Sequence, residues 1–237
     1  MNPKELLLKP ITAQMAKTVM EKFHYSGSYC RNSNVHIGVF HNDKCFGALS
    51  FGPSMDKRKT APIVKGTRIN EFLELNRMAF SNVLPKNSES RAISIALKMI
   101  KKAYPQIKWV ISFADATQCG DGTIYRASGF HLVGIKKNTS IKMNSKGEII
   151  VDHGQMDKKK KIGAKPLAGF QIKYIYFLHQ DEKKNLTVPI LPFSKIEEVG
   201  ATMYKGKKTR HEHESNASTF HVEESGAIPT MSLQSAK

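Results

Sequence analysis

The sequence predicts an α/β protein with a mixed central sheet flanked by helices, and three observations predict it. Apolar runs of strand length alternate along the 237 residues with two segments of helical spacing. One run, Ile107 to Ala114, is almost continuously apolar, the pattern of a strand covered on both faces. Hydrophobic residues make up 40% of the chain, enough to bury a sizeable core.

Taken in order, the leucine-rich start up to Lys9 and Pro10 reads as a strand. Thr12 then N-caps a helix carrying Met15, Ala16, Val19, Met20 and Phe23. A polar turn follows, from His24 to Asn34. Val35 to Phe40 and Cys45 to Phe51 form a hairpin around His41-Asn42-Asp43-Lys44, where His41 is expected in solvent. Gly52-Pro53 ends it, and the basic stretch to Gly66 reads as an exposed loop. Asn70 to Phe80 is a strand. A loop leads to a long helix from about Ser90, with Ile93, Ala96, Leu97, Ile100 and Tyr104 on one face and Pro105 as the stop. After the apolar strand come a Gly-rich turn, a short helix at Thr123 to Ser128 with Gly129 as its C′ residue, and a strand at His131 to Ile135. Gln171 to Leu178 is the last strand. Trp109 and Phe113, mid-strand, are expected in the core.

The domain expectation is a catalytic unit over 1–180 with a basic insertion at about 136–169, an extension over 181–204 and a flexible polar tail over 205–237. From Lys136 to Lys165 there are nine lysines against three acids. Across the chain 37 Lys and Arg oppose 20 Asp and Glu, a net +17 that favours a polyanionic partner and gives a small-molecule enzyme no reason for its charge. Lys57, Arg58, Lys59 and Lys158, Lys159, Lys160 and Lys161 are the candidate phosphate contacts, with plain solubility as the alternative reading. No signal peptide or membrane span is visible, and three cysteines without a CxxC pair fit reduced thiols, so a cytoplasmic protein is expected.

Five ordered motifs narrow the function: His24-Tyr25-Ser26, Glu74-Leu75-Asn76-Arg77, Pro85-x-Asn87-Ser88-Glu89-Ser90, Ser112-x-Ala114-Asp115 and Gly122-Thr123-Ile124-Tyr125. The element order is similar to the GNAT acyltransferase fold, and the motifs resemble the Mom family of phage DNA-modification proteins. That resemblance implies conversion of adenine in double-stranded DNA to a carbamoylmethylated form on its exocyclic amine, which protects the DNA from restriction. It also implies that Tyr125 occupies the place of a tyrosine that protonates a leaving thiolate. The usual glycine-bearing phosphate loop of the wider fold is replaced by Lys86-Asn87-Ser88-Glu89-Ser90-Arg91, which leaves the acyl donor open. An aminoacyl-tRNA such as glycyl-tRNA, whose acyl adduct would rearrange to the carbamoylmethyl product, stands beside acetyl-coenzyme A. DNA and tRNA would both suit a basic surface.

Adenine's amine is a poor nucleophile because its lone pair is delocalised into the ring, so acylation needs a base and an oxyanion stabiliser. Asp115 is the candidate carboxylate at the amine, with turn capping as the alternative. His24, taken to titrate near neutral pH, can relay the proton, and Tyr25 can stack on a displaced base. Arg77 offers its fork to a phosphate or donor carboxyl, or else pairs with Glu74 or Glu89. Ser88 and Ser90 can cap the helix while facing an anion, with Asn87 and Arg91 beside them as donor contacts. A metal at His24 and Asp115 is conceivable, but no spacing requires one. The competing readings are a non-enzymatic nucleic-acid-binding protein and a GNAT enzyme acting on a small amine or protein.

Overall fold

The computed structural model describes residues 2–151, 163–204 and 206–208. Lys158 to Lys161 and nearly all of the expected tail lie outside them. Seven strands form the main sheet: β1 (Leu7–Pro10), β2 (Val35–His41), β3 (Lys44–Gly52), β4 (Phe72–Phe80), β5 (Trp109–Ala116), β6 (His131–Lys137) and β10 (Phe170–Phe177). Their order across it is β1-β2-β3-β4-β5-β10-β6. All neighbours are antiparallel except β4 and β5, so the sheet is mixed, as expected.

Helix α1 (Ala13–Phe23) starts where Thr12 Oγ1 accepts the Met15 amide, and it buries Ala16, Val19 and Met20. Helix α3 (Ser88–Ala103) buries Ile93, Ala96, Leu97 and Ile100 on the other face of the sheet. Each such Ile or Leu contributes about 1.5–3 kcal/mol of apolar burial. Tyr104 leaves the expected helical face, because the residue before Pro105 is driven out of the α region. It ends the helix instead at φ −133°. The hairpin turn holds Asn42 and Asp43 at positive φ, the geometry that suits the strand twist. His41 is not in solvent: its side chain is 16% exposed, with Nδ1 4.0 Å from Glu5 Oε2.

The stretch after β3 is not simply an exposed loop. It forms the short helix α2 (Lys57–Thr60) and a 3-10 turn, Ala61–Ile63, that buries Ala61 and Ile63. Within the basic insertion, β7 (Ile141–Met143), β8 (Ile149–Val151) and β9 (Lys165–Pro166) make a separate small sheet. Beyond β10, Ile196, Ala201 and Met203 pack into the main core, and Met203 O accepts the Asp121 amide at 2.9 Å. No helix among the described residues is long and apolar enough to cross a membrane.

The feature that makes a site is the separation of β4 from β5. Their parallel register runs only over Phe72–Glu74 and Trp109–Ile111, after which the strands part. Ser112 Oγ donates to Leu75 O at 3.3 Å at the base of the opening. A bulge in the β3/β4 register leaves Asn76 as an extra residue, so Arg77 falls on the α1 side of the sheet. The resulting wedge is where an open α/β sheet binds ligands, beyond the carboxyl end of a parallel strand.

Candidate active site

On the α1 side of the wedge, three of the five motifs meet. Helix α1 ends at His24, and the turn after it carries Tyr25 over the end of β5, where Tyr25 Oη donates to Asp115 Oδ2 at 3.1 Å. The His24 and Tyr25 rings lie 4.3 Å apart at 31°. Arg77 Nη2 donates to Ser28 Oγ at 3.4 Å, and Arg77 Nε is buried with no hydrogen-bond partner. Neither Glu74 nor Glu89 forms an ion pair with Arg77 among the described residues, so the guanidinium remains available to an anion.

The turn from His24 to Asn34 is anchored by side chains. Ser33 Oγ donates to Asn76 Oδ1 at 3.0 Å, and Asn32 Nδ2 to Pro53 O at 2.7 Å. Gly52 permits this approach: a Cβ there would meet Asn32 O and lie 2.8 Å from both Asn76 Oδ1 and Ser33 Cα. The bulged Asn76 thus ties the His24 turn to the same strand that carries Arg77.

His24 does not titrate near neutral pH. Burial first, and then the Arg77 charge, lower it to about 4. The Ser26 amide donates to Nδ1 at 3.1 Å, which leaves the ring proton of the neutral imidazole on Nε2. At neutral pH His24 is therefore a neutral imidazole with an Nε2–H to donate. Tyr25 is pushed far above its ordinary value by burial and by Asp115, and it keeps its proton. Asp115 does cap the following turn: Oδ1 accepts the Thr117 amide at 2.9 Å and the Thr117 hydroxyl. Its Oδ2 accepts Tyr25 at 3.1 Å and Gln118 Nε2 at 3.3 Å. Capping uses mainly Oδ1 and the contact with Tyr25 uses Oδ2, so the cap does not occupy the oxygen that faces Tyr25.

Tyr125 and Ser112 lie on the opposite, α3 side of the sheet. Tyr125 is 6% exposed and packs against Phe130 and Tyr174, with ring centroids at 5.4 Å and 5.3 Å. Burial pushes it up to about 12, partly offset by the Ser112 hydroxyl.

The Mom protein family matches residues 5–195. The chain belongs to that family. Methylcarbamoylase mom of Escherichia phage Mu is 34% identical to it over 197 residues, 79% of this chain and 81% of that one. Solved structures of lower similarity include the IAA acetyltransferase of Bacillus cereus, with 11% identity, TM-score 0.45 and coverage of 73% of this chain and 99% of that one. The ribosomal-protein-S18-alanine N-acetyltransferase of Escherichia coli has 9% identity, TM-score 0.44 and coverage of 73% and 94%.

In this Mom-family chain the expected donor contacts divide. Asn87, Ser90 and Arg91 line an open groove with Ser94 and Lys98 at the start of α3. Ser88 does not join them: it is fully buried and its hydroxyl donates to Pro85 O at 2.6 Å. Neither serine caps the helix. Asn87 stands at the N-cap in the left-handed region, φ 71°, without a side-chain cap, and Ser90 Oγ donates back to Asn87 O at 3.2 Å. Arg77 belongs with His24 and Tyr25 rather than with this groove. Lys57, Arg58 and Lys59 are exposed on α2, though Lys59 Nζ is held by Asp56 at 2.9 Å. No three His, Cys, Asp or Glu side chains are grouped as metal ligands among the described residues.

Two residues carry more than their sequence neighbourhoods suggested. Glu74, expected only as a partner for Arg77, is a half-buried carboxyl beside Ser54, Asn76 and the Met55 backbone, and desolvation raises it. Phe113, expected in the core, is 40% exposed. Its position on β5 lies past the point where β4 leaves, so the neighbour that would cover it is gone.

Proposed function

We propose that the protein is a DNA-modifying transferase that converts adenine to N6-carbamoylmethyl adenine by acyl-type transfer to the exocyclic amine, protecting the DNA from restriction in the cytoplasm where it is made. What carries this reading is the Tyr25–Asp115 hydrogen bond, which joins motifs 90 residues apart that the family resemblance picks out independently. The names of relatives supply the reaction, and the geometry suits it.

The amine of an adenine displaced from the duplex approaches Asp115 Oδ2. That oxygen's two existing donors are at 3.1 and 3.3 Å, long enough to yield to an incoming N–H. As the amine attacks, its proton passes to Asp115 and Tyr25 keeps the carboxylate in place. Negative charge developing on the donor carbonyl oxygen meets the unpartnered Arg77 Nε and the neutral His24 Nε2–H. A neutral imidazole is a competent donor in that role. Tyr125, protonated at neutral pH, is available from the far side of the wedge to the leaving group. The donor is a polyanion bearing activated glycine, either glycyl-tRNA or a glycyl thioester of coenzyme A; the N6-glycyl adduct then isomerises to the carbamoylmethyl amine as the glycine amine attacks C6 and the C6–N6 bond breaks, leaving the former exocyclic nitrogen as the carboxamide. Either would lay its phosphates along the Asn87–Ser90–Arg91 groove, where Arg91 and Lys98 offset Glu89.

Nucleoside mass spectrometry of plasmid DNA from cells making the protein tests the reading. Wild type should give carbamoylmethyl adenine, and a folded Asp115→Ala variant should give none. DNA without modified adenine from a folded wild type would overturn it.

A further inference from the structure

The exposed face of β5, β10 and β6 next to Asp115 carries an arrangement that the transfer chemistry does not use. Cross-strand register places Phe113 beside Lys173 and Lys173 beside Gly134. In the next row on the same face, Asp115 lies beside Gln171 and Gln171 beside Lys136. Two strand residues rise about 7 Å, so this first row sits immediately next to the reacting centre.

Phe113 is an unusual occupant of a solvent-facing position, and Lys173 Nζ lies over its ring at 5.9 Å from the centroid. Gly134 presents no side chain to cover either residue. Neither Lys173 nor Lys136 pairs with an acid among the described residues, and burial together with the Lys136 charge depresses the Lys173 ammonium. Two neighbouring cations with no acidic partner among the described residues, beside an aromatic ring that is 40% exposed, complement a nucleotide: phosphate for the charges and a base for the ring.

We infer that Phe113, Lys173 and Lys136 form a nucleotide seat for the DNA residue flanking the target adenine, its base stacked on Phe113 and its phosphate on the two lysines. The four-carbon stem of Lys173 lets its ammonium leave the ring for the phosphate as the base arrives. Displacing the target adenine costs its stacking, and holding its neighbour against Phe113 offsets part of that cost. This seat rests on the proposed DNA substrate for its occupant. The alternative polyanion, the donor, is proposed to take the Asn87–Ser90–Arg91 groove at α3 instead.

The test measures affinity of the full chain for a fluorescein-labelled, adenine-containing single-stranded oligonucleotide over a range of salt, with nucleoside mass spectrometry in parallel. Phe113→Ala and Phe113→Leu should each weaken binding roughly tenfold and Phe113→Tyr should restore it, as expected for one base–aromatic stack. Lys173→Gln, which leaves the ring in place, should lower the salt slope by about 0.7 for the one phosphate it no longer neutralises. Wild-type affinity in a folded Phe113→Ala, or full rescue by Leu, overturns the seat while leaving adenine modification by the wild type untouched. If the wild type modifies no adenine and Phe113→Ala still loses affinity, the seat stands as a nucleotide site and the proposed reaction falls.

Discussion

The His24 imidazole shows how one side chain's surroundings decide between two mechanisms. From sequence, a histidine in a polar turn is a group of pKa near 6.5 and a natural proton relay. Burial and Arg77 lower it to about 4, and the Ser26 amide fixes which nitrogen is free. An NMR titration of the ring should therefore find its midpoint near 4, and Arg77→Met should raise it, though only part of the way because burial is the larger cause. The sign for stability follows. Between about pH 6.5 and 4 the unfolded chain binds a proton that the native His24 does not, so this group costs stability as pH falls through that window. A midpoint near 6.5 would return His24 to the role of relay. The same contrast explains Phe113: alternation along β5 identifies it as facing one side of the sheet, but whether that side is covered depends on where β4 diverges, which no local pattern encodes.

At the scale of elements, much of the architecture follows from local chemistry. The Thr12 cap, the Ile93, Ala96, Leu97 and Ile100 face of α3, the Asn42-Asp43 turn and Gly129 at positive φ (81°) each stand where composition places them. The strand boundaries differ by one or two residues, β4 beginning at Phe72 rather than Asn70 and β5 running from Trp109 to Ala116. The bulge at Asn76 is not visible in sequence, since it depends on the register of β3 against β4, and it is the bulge that aims Arg77 at the His24 turn. Gly52 is the test of this coupling. A Cβ there collides with backbone atoms of Asn32 and Ser33, which cannot rotate away. Gly52→Ala should cost about 1–3 kcal/mol by overpacking in urea unfolding. It should also reduce adenine modification beyond what the reduced stability explains, because Tyr25 is displaced from Asp115. Unchanged modification in a destabilised variant would show that the turn is held by other contacts.

At the scale of the whole molecule, charge and site address different parts of the same task. The net charge of +17 attracts any polyanion without reading sequence, whereas in the proposed reaction it is the wedge of β4 and β5 that selects what reacts. The acids that offset basic side chains are local, as with Asp56 on Lys59 and with Glu71 and Glu182 on Lys108, and the insertion at 136–169 has few acids of its own. If its lysines meet DNA phosphates, each releases bound counterions and steepens the dependence of affinity on salt. Replacing Lys158, Lys159, Lys160 and Lys161 together by Ala should then lower the slope of log affinity against log salt by up to about 0.9 for each duplex phosphate left without its lysine. The chemistry at Asp115 should survive, so at low salt and saturating DNA the variant should still form the modified adenine. A slope equal to that of the wild type would assign the four lysines to solvation, and would move the electrostatic footprint to Lys57, Arg58 and the Lys136–Lys173 pair.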